Sequence, residues 1–430
     1  MNEYNIVTVE KNNFRFHFIP TNKFKTITFV MKCKAPLLRE TVTKRSLLSS
    51  VLEQGTETYR TEQQLQQKLD ELYGATLQID TMKKGNHHII HIQLEMANEK
   101  FIPGQTGLTE TALQLLFDIM FRPHVANESF PETVITNEKR KLQQKIESLY
   151  DHKIAYANER LIAEMYKSEP YATTKDGYIA DFATIDEREL YRYYRKLLTE
   201  DDIDMYVLGD FTLNDMEQRV TNLFQRQRQS SMKETTTDHQ QTIDQPTTVI
   251  EKDTLHQAKL HLGYRTYCTF QDEQYSALQV FNGLFGGFPN STLFMNVREK
   301  HSLAYYIASR IESHIGLLLV YSGVETSEYE RTLNIINEQF AAIQQGEFTE
   351  ELLTNIKQLI VSQLLETLDS SYGTIEWLYQ QVIGERSLSP AQFIQQIEQV
   401  TKEDVIRIAQ QIKLDTVYVL AGEEVGDSHG

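Results

Sequence analysis

The feature that most constrains the fold of this chain is an internal repeat. Residues 185–210 read as an acidic helix start, an amphipathic helix, a polar turn and an apolar strand, and residues 400–423 repeat that order. The two segments are offset by 215 residues at their first positions and by 213 residues at Gly209 and Gly422, which end the strands. Because self-similarity at a fixed period marks duplicated structural units, the sequence predicts two similar modules.

A second pair of segments supports the duplication. Residues 137–151 are similar to residues 355–369 at an offset of 218. Near the midpoint, residues 225–248 are polar and contain almost no apolar side chain that could be buried, which is typical of a linker. We therefore predict an N-terminal module over residues 1–224, a linker over 225–248 and a C-terminal module over 249–430.

The pattern within each module indicates the fold class. Residues 77–83 and 87–96 alternate like two strands, with Gly85 and Asn86 at the turn between them. Ahead of them, Thr61 is the predicted N-cap of an amphipathic helix. Strands, helices, strands, long helices, and a closing helix and strand follow one another in both modules. The predicted class is α+β, with two homologous modules, each an antiparallel sheet with helices packed on one face, joined by a polar linker.

Charge and composition exclude several classes of partner. The 43 Lys and Arg residues against 60 Asp and Glu residues give a net charge of −17, and no basic stripe interrupts this excess, so we expect no nucleic-acid partner. No window approaches the ~18 apolar residues of a membrane span, and the N-terminal region lacks the apolar core of a signal peptide. Cys33 and Cys268 lie too far apart to indicate a disulfide framework. The expected location is the cytoplasm.

Three histidines, His87, His88 and His91, lie close together in the sequence. On a strand, His87 and His91 face the same side but lie about 13 Å apart, whereas His88 faces the other side, so one zinc ion cannot bind all three. The chain also contains no HExxH, HxxEH, CxxC or P-loop motif. The residues alone therefore indicate no metal or phosphate site.

Residues 285–309 form a more specific pattern, in which a glycine pair, a short helix and an abrupt change to a strand pattern follow one another. The glycine pair lacks the GxGxxG spacing and indicates a flexible loop. Arg298 ends the predicted helix and Tyr305 opens the strand. A guanidinium can bind a carboxylate or a carbonyl, and a phenol can donate to an oxyanion. Two interpretations remain: contacts to a substrate, or an Arg298 paired with a neighbouring carboxylate and a Tyr305 that fills an edge of the core.

The pattern GG…S…LF…REK…LAY, which includes Arg298 and Tyr305, resembles the C-terminal-module signature of the pitrilysin/insulinase peptidase family, especially its bacterial branch similar to the mitochondrial processing peptidase. The resemblance spans the whole chain and includes the duplicated module, the linker and an LxxLYG element from Leu69 to Gly74. It implies that Arg298 and Tyr305 bind the substrate and stabilise the tetrahedral intermediate. The resemblance extends to a Gram-positive subgroup linked to the modification of elongation factor P.

Members of this family that act as peptidases carry an inverted zinc motif, HxxEH, shortly before a Gly-Thr pair, which here is at 55–56. This alignment places Ser46, Ser49 and Ser50 where the family has its His, Glu and His, and Lys145 where it has its third ligand, a Glu. A serine hydroxyl is a poor zinc ligand and cannot act as a general base, and Lys145 adds a positive charge. We therefore expect no zinc, no other cofactor and no peptidase activity in this chain alone.

The resemblance also implies a division of labour between two chains. In several bacterial relatives one chain holds the zinc motif, the other holds the Arg/Tyr pair, and the two close around a peptide. We expect this chain to be the non-zinc subunit of such a heterodimeric metallopeptidase, with zinc in the partner chain and a peptide as substrate. The alternative is a proteolytically inert peptide-binding or scaffold protein with the same fold.

Overall fold

The computed structural model describes residues 6–225, 243 and 245–422. The elements of the first half are β1 (Val7–Lys11), β2 (Phe14–Pro20), β3 (Thr26–Pro36), α1 (Val42–Leu52), α2 (Glu62–Glu71), β4 (Thr76–Lys84), β5 (His87–Ala97), α3 (Leu108–Phe121), α4 (Glu132–Ser148), α5 (Lys153–Met165), α6 (Glu187–Glu200), β6 (Asp202–Gly209) and α7 (Leu213–Leu223). Those of the second half are β7 (Thr247–Asp253), β8 (Ala258–Arg265), α8 (Tyr275–Asn282), β9 (Ala304–Glu312), β10 (Leu317–Val324), α9 (Tyr329–Gln344), α10 (Glu350–Leu368), α11 (Ser371–Ile383), α12 (Pro390–Gln399), α13 (Lys402–Gln411) and β11 (Lys413–Gly422).

The two halves have the same sheet topology, which accounts for the repeat in the sequence. The first sheet has the strand order β1-β2-β6-β3-β5-β4, and the second has the order β7-β11-β8-β10-β9. Apart from the additional β1, each strand of the first sheet has a counterpart in the second, with β6 matching β11 and β4 matching β9. The predicted α+β fold with two similar halves is confirmed.

Each sheet contains one parallel pair of strands, which corrects the purely antiparallel sheets expected from the sequence. β2 pairs with β6, and β7 pairs with β11, in parallel, whereas the other pairs are antiparallel. Both exceptions join an early strand of a half to its last strand. Because long helices separate the two strands in sequence, the last strand can return in the direction of the first, which a hairpin does not allow.

Local sequence signals determine several of these boundaries. The Thr61 side chain accepts a hydrogen bond from the Gln64 main-chain N at 3.2 Å, which satisfies one of the unpaired N–H groups at the start of α2. The β4–β5 hairpin turns at Gly85, whose φ is +54°, a conformation that glycine adopts at little cost. The predicted N-cap and the predicted strand pair are both confirmed.

Each half places one helix on the sheet of the other half. Helix α5 packs on β8 and β11, where Leu161 and Met165 join Leu319 and Tyr418 in a buried cluster. Helix α11 packs on β3 and β6, where Ile375 and Tyr379 join a second cluster. The sheet face opposite each half's own helices is therefore covered reciprocally, and the two halves share apolar cores.

A buried group of charges also joins the halves. The side chain of Glu376 on α11 accepts hydrogen bonds from Lys32 Nζ on β3 and, at 2.6 Å, from Lys84 Nζ on β4. Burial alone would raise the pKa of the Glu376 carboxyl, but the attraction of the two lysines outweighs it and lowers that pKa to about 2. Burial lowers the pKa of Lys32 to about 8, against the opposing effect of Glu376. The carboxylate is thus held ionised between two cations.

Strand β7 begins at Thr247, inside the segment taken as the linker from the sequence. Of residues 225–248, only 225, 243 and 245–248 are described, so most of the predicted linker lies outside the described residues. Across the ranges 6–225 and 245–422, no helix combines the length and the apolar character that a membrane crossing requires.

Candidate functional site

The serines that the sequence analysis aligns with the family's zinc motif lie on α1, and two of their hydroxyls form structural hydrogen bonds. Ser46 and Ser49 are buried, and Ser50 is partly exposed. Ser46 Oγ donates to the main-chain oxygen of Lys175 at 2.6 Å, and Ser49 Oγ donates to the main-chain oxygen of Ser46 at 2.8 Å. The two buried hydroxyls therefore stabilise the local fold.

The segment from Lys175 to Tyr178, here called the 175–178 segment, lies directly against α1. The Lys175 oxygen also accepts from His88 Nε2 at 2.8 Å, and the Tyr178 N donates to Thr43 Oγ1 at 3.0 Å. Gly177 has φ +82°, and a Cβ at that position would lie 2.5 Å from Thr43 Cα. The segment is therefore held to α1 by hydrogen bonds at both ends, with no room for a side chain at Gly177.

Lys145, at the position of the third ligand, faces the same segment from α4. Its Nζ lies 2.9 Å from Asp176 Oδ1 and the side chain is half exposed. Helix α4 contacts α1. The buried Glu138, also on α4, forms an ion pair with Lys141 at 2.8 Å. The two helices that the sequence aligns with the family's ligand positions thus contact each other, and their polar groups bind one another and the 175–178 segment.

These residues do not fit a zinc ion. Ser46 and Ser49 offer neutral hydroxyls already engaged with main-chain oxygens, and Lys145 places an ammonium at the third position. Zinc in proteins is bound by thiolate, imidazole or carboxylate. Within the described ranges, no three or more His, Cys, Asp or Glu side chains are grouped so that they could hold a metal ion.

The three histidines lie on β5, as the sequence predicts. His88 accepts a hydrogen bond from Arg45 Nε at its Nδ1, at 3.0 Å, so its Nε2 carries the proton donated to Lys175. Burial, reinforced by the charge of Arg45, lowers the pKa of His88 to about 3. Burial likewise lowers the pKa of His91 to about 4. Both imidazoles are therefore neutral near pH 7.

Arg45 is a buried anchor that sequence reasoning missed. Besides His88, its guanidinium donates to Asp201 Oδ2 at 2.7 Å and to the Cys33 main-chain oxygen at 2.8 Å. Arg45 thereby fixes α1 to β3, to β5 and to the start of β6. The sequence contained one indication that Arg45 is buried: this charged residue lies on the helix face that also carries Leu48 and Leu52.

Arg298 and Tyr305 lie on two elements that contact one another, a helical turn at Phe294–Lys300 and the edge strand β9. Leu293 and Val297 are buried and fix the turn to the core. The Arg298 side chain is 44% exposed and lies over the Phe294 ring, with Cζ 4.7 Å from the ring centroid. Its nearest paired carboxylate, that of Glu299, is 3.8 Å away and exposed.

Tyr305 is 58% exposed, so it does not fill an edge of the core. It lies at a β-bulge: Ala304 pairs with Val324 and Tyr306 pairs with Gly323, which leaves Tyr305 without a partner on β10. Its hydroxyl donates to Glu325 Oε1 at 3.2 Å. Since bulges reorient single side chains at sheet edges, the bulge accounts for the outward direction of this phenol.

The glycine pair that precedes Arg298 is ordered, whereas the sequence indicated a flexible loop. Residues Gly283–Gly287 continue α8 as a wide helical turn. A Cβ on Gly286 would lie 2.8 Å from the main-chain N of Ser309 on β9. The expectation was wrong because the glycine is needed here for close packing against a strand.

Comparisons with known proteins show the family to which the chain belongs. The family profile described as "Peptidase M16 inactive domain" matches residues 184–360. A Bacillus subtilis (strain 168) protein named "Probable inactive metalloprotease YmfF" is 44% identical over 409 residues, which cover 95% of this chain and 96% of that protein. A second protein of the same organism, named "Uncharacterized zinc protease YmxG", is 23% identical over 270 residues, which cover 60% of this chain and 62% of that protein.

Among solved structures, that of a conserved protein from Enterococcus faecalis V583 superposes with a TM-score of 0.90 at 31% identity, and the match covers 98% of this chain and all of that one. The Bacillus match extends over almost the whole of both chains, and the Enterococcus structure shares the fold of this chain. The chain belongs to the peptidase M16 family, as a homologue of its inactive metalloprotease members.

Proposed function

We propose that this chain is the non-zinc subunit of a heterodimeric metallopeptidase. In the proposed complex it supplies Arg298 and Tyr305 to a peptide-binding chamber, and a zinc-bearing family member supplies the metal and the general base. The complex is proposed to act in the cytoplasm, in which buried thiols such as those of Cys33 and Cys268 stay reduced.

The observation that carries this proposal is the contrast between the two sets of family positions. Ser46 is buried and hydrogen-bonded to Lys175, and Lys145 pairs with Asp176 at 2.9 Å. Arg298 and Tyr305 are exposed on a helical turn and the adjoining edge strand, and their nearest side-chain acceptors lie farther away, at 3.8 and 3.2 Å. The Arg298 guanidinium, which lies over the Phe294 ring and 3.8 Å from an exposed carboxylate, can still bind a peptide carbonyl or carboxylate. The Tyr305 phenol at the open sheet edge can donate to the oxygen of a tetrahedral intermediate once it leaves Glu325, its acceptor in the free chain.

The choice of partner is supported by the two Bacillus subtilis relatives. That organism encodes one relative named as an inactive metalloprotease and one named as a zinc protease, and both match this chain. A pair of that kind would provide the zinc site that this chain lacks. The proposed partner is accordingly a zinc-bearing M16 chain from the same organism.

The alternative function, a proteolytically inert peptide-binding or scaffold protein, is favoured by one contact. The Tyr305 hydroxyl is already hydrogen-bonded to Glu325 and would have to exchange that acceptor before it could serve a substrate. In a scaffold this contact would be structural, and loss of Tyr305 would have no catalytic consequence.

The test is hydrolysis of a mixed fluorogenic peptide library, together with zinc content, for this chain alone, the zinc-bearing chain alone and an equimolar mixture. The proposal predicts activity that appears or rises at least about tenfold in the mixture, with zinc only in the partner. Hydrolysis by this chain alone, or equal hydrolysis by the partner with and without it, would contradict the proposal.

A further inference from the structure

The contact between Tyr305 and Glu325 points to a second residue at the proposed site. Glu325 follows β10 directly, and its main-chain oxygen accepts from the Glu328 N at 3.0 Å in the turn that leads into α9. Its backbone is therefore fixed while its side chain is exposed to solvent. The Tyr305 hydroxyl donates to this carboxylate at 3.2 Å.

The surroundings leave the Glu325 carboxylate without a neutralising cation. Among the ion pairs of the described ranges, Glu328 pairs with Arg331 at 3.4 Å and Arg298 approaches Glu299, but none includes Glu325. An exposed carboxylate that accepts its side-chain hydrogen bond from a neutral phenol can still bind an ammonium or guanidinium group. The bulge at Tyr305 brings the phenol to this acid.

The same hydrogen bond limits what Tyr305 can do. A phenol has one proton to donate, and a hydroxyl that donates it to Glu325 cannot at the same time donate it to a peptide carbonyl. A cation that binds at Oε1, the oxygen that accepts from Tyr305, competes for that oxygen and frees the hydroxyl. Binding of a positive side chain to Glu325 would then also release the Tyr305 hydroxyl to the peptide, which is a form of induced fit.

We propose that Glu325 selects peptides with a Lys or Arg side chain near the bound carbonyl, and that this side chain takes the place of Tyr305 at the carboxylate and releases the Tyr305 hydroxyl to the peptide. This inference rests on the proposed function, because it concerns the same site. Glu325 is a specificity and positioning residue: it acts on the reaction through Tyr305.

The chain offers a matched control at Glu330. This exposed glutamate also accepts a hydrogen bond from a tyrosine, Tyr329 Oη, at 3.2 Å, so Glu330→Gln removes the same charge from the same kind of contact. Glu325→Gln keeps an acceptor for Tyr305 but removes the charge, whereas Glu325→Ala removes both.

The first arm measures binding by this chain alone, using fluorescence anisotropy of labelled Ala-Leu-Ala-Arg-Ala-Leu-Ala and of the same peptide with norleucine in place of Arg. The wild-type chain and Glu330→Gln are expected to prefer the Arg peptide by roughly three- to tenfold, a preference that Glu325→Gln abolishes. Equal binding of the two peptides by the wild-type chain would overturn the inference, whether or not any peptide is hydrolysed.

The second arm measures kcat/KM of the mixture with the zinc-bearing chain. Glu325→Ala is expected to lower kcat/KM for the Arg peptide and to raise it for the norleucine peptide, because the Tyr305 hydroxyl is then free from the start. A merely structural role would lower both values, and that result would overturn the inference. A mixture that hydrolyses nothing while the Arg preference in binding persists would contradict the proposed function and leave the specificity of Glu325 standing.

Discussion

Ser46 Oγ donates a 2.6 Å hydrogen bond to the main-chain oxygen of Lys175, so the serine that the sequence aligns with the first ligand of the family's zinc motif holds a loop. The same oxygen accepts from His88 Nε2, and Asp176 pairs with Lys145. The 175–178 segment thus contacts three elements, α1, β5 and α4. Ser46 and Lys145 therefore help to hold the 175–178 segment against α1 and α4.

Gly177→Ala should destabilise the chain by more than about 3 kcal/mol. The left-handed φ of +82° costs roughly 1–2 kcal/mol for an L residue, and the new Cβ would meet Thr43 Cα at 2.5 Å. Gly74→Ala is the matched control, because Gly74 has φ +71° and a Cβ there would meet no atom within 4 Å, so only the strain remains. Urea unfolding of both variants measures the difference. Equal losses would show that the 175–178 segment is not packed tightly on α1.

Ser46→His should cost about 1–3 kcal/mol, because an imidazole is too large for a buried site that accommodates a serine hydroxyl against Lys175. Ser50→His, on the partly exposed side of the same helix, should stay within about 0.5 kcal/mol of the wild type. Thermal and urea unfolding report both. A Ser46→His variant as stable as the wild type would mean that the site readily reopens for a ligand.

Glu376→Gln should destabilise the chain by about 3–5 kcal/mol, since it leaves Lys32, which is completely buried, without a negative partner. The double variant Lys32→Met, Glu376→Leu should lose much less, because the buried charge of Lys32 is removed together with that of its partner. Urea unfolding monitored by Trp377 fluorescence measures both. If the double variant were the less stable of the two, the ion pair itself would be the source of stability.

The contribution of Glu376 should depend on pH in the acid range. Its carboxyl has a pKa of about 2 in the folded chain against an ordinary 4.5, so the folded state favours the ionised form. That stabilisation is complete above pH 4.5 and is lost as the pH falls toward 2. The stability difference between wild type and Glu376→Gln should therefore shrink between about pH 5 and about pH 3. A difference that stays constant over this range would contradict the assignment.

The sequence predicts those parts of the fold that depend on neighbouring residues. The β4–β5 hairpin follows from alternating side chains on either side of Gly85, and the start of α2 follows from Thr61. The reciprocal packing of α5 and α11 does not follow from any such pattern. An amphipathic helix shows that it has a partner, but the period of its apolar residues does not indicate which sheet covers it.

For the same reason, only some residues of the candidate site could be predicted from the sequence. The sequence alone aligns Ser46 and Lys145 with the family's zinc ligands. The loop that contacts both residues lies at 175–178, far along the chain from Ser46, and was not predicted. Its letters, KDGY, are those of an ordinary turn. The outward direction of Tyr305 depends on a one-residue bulge, which a strand pattern does not reveal.

The most direct test of the proposed split site is peptide hydrolysis by the mixture of this chain and the zinc-bearing chain, with Arg298→Ala, Tyr305→Phe and Lys300→Ala compared at equal complex concentration. Lys300 is an exposed residue of the same turn and serves as the control.

We expect all three variants to unfold within about 0.5 kcal/mol of the wild type, since the side chains are exposed. Arg298→Ala and Tyr305→Phe should each lower kcat/KM by roughly tenfold to a thousandfold, as loss of a transition-state contact does, while Lys300→Ala leaves it unchanged. Full activity of both Arg298→Ala and Tyr305→Phe in an intact complex would contradict the split site and leave a scaffold subunit.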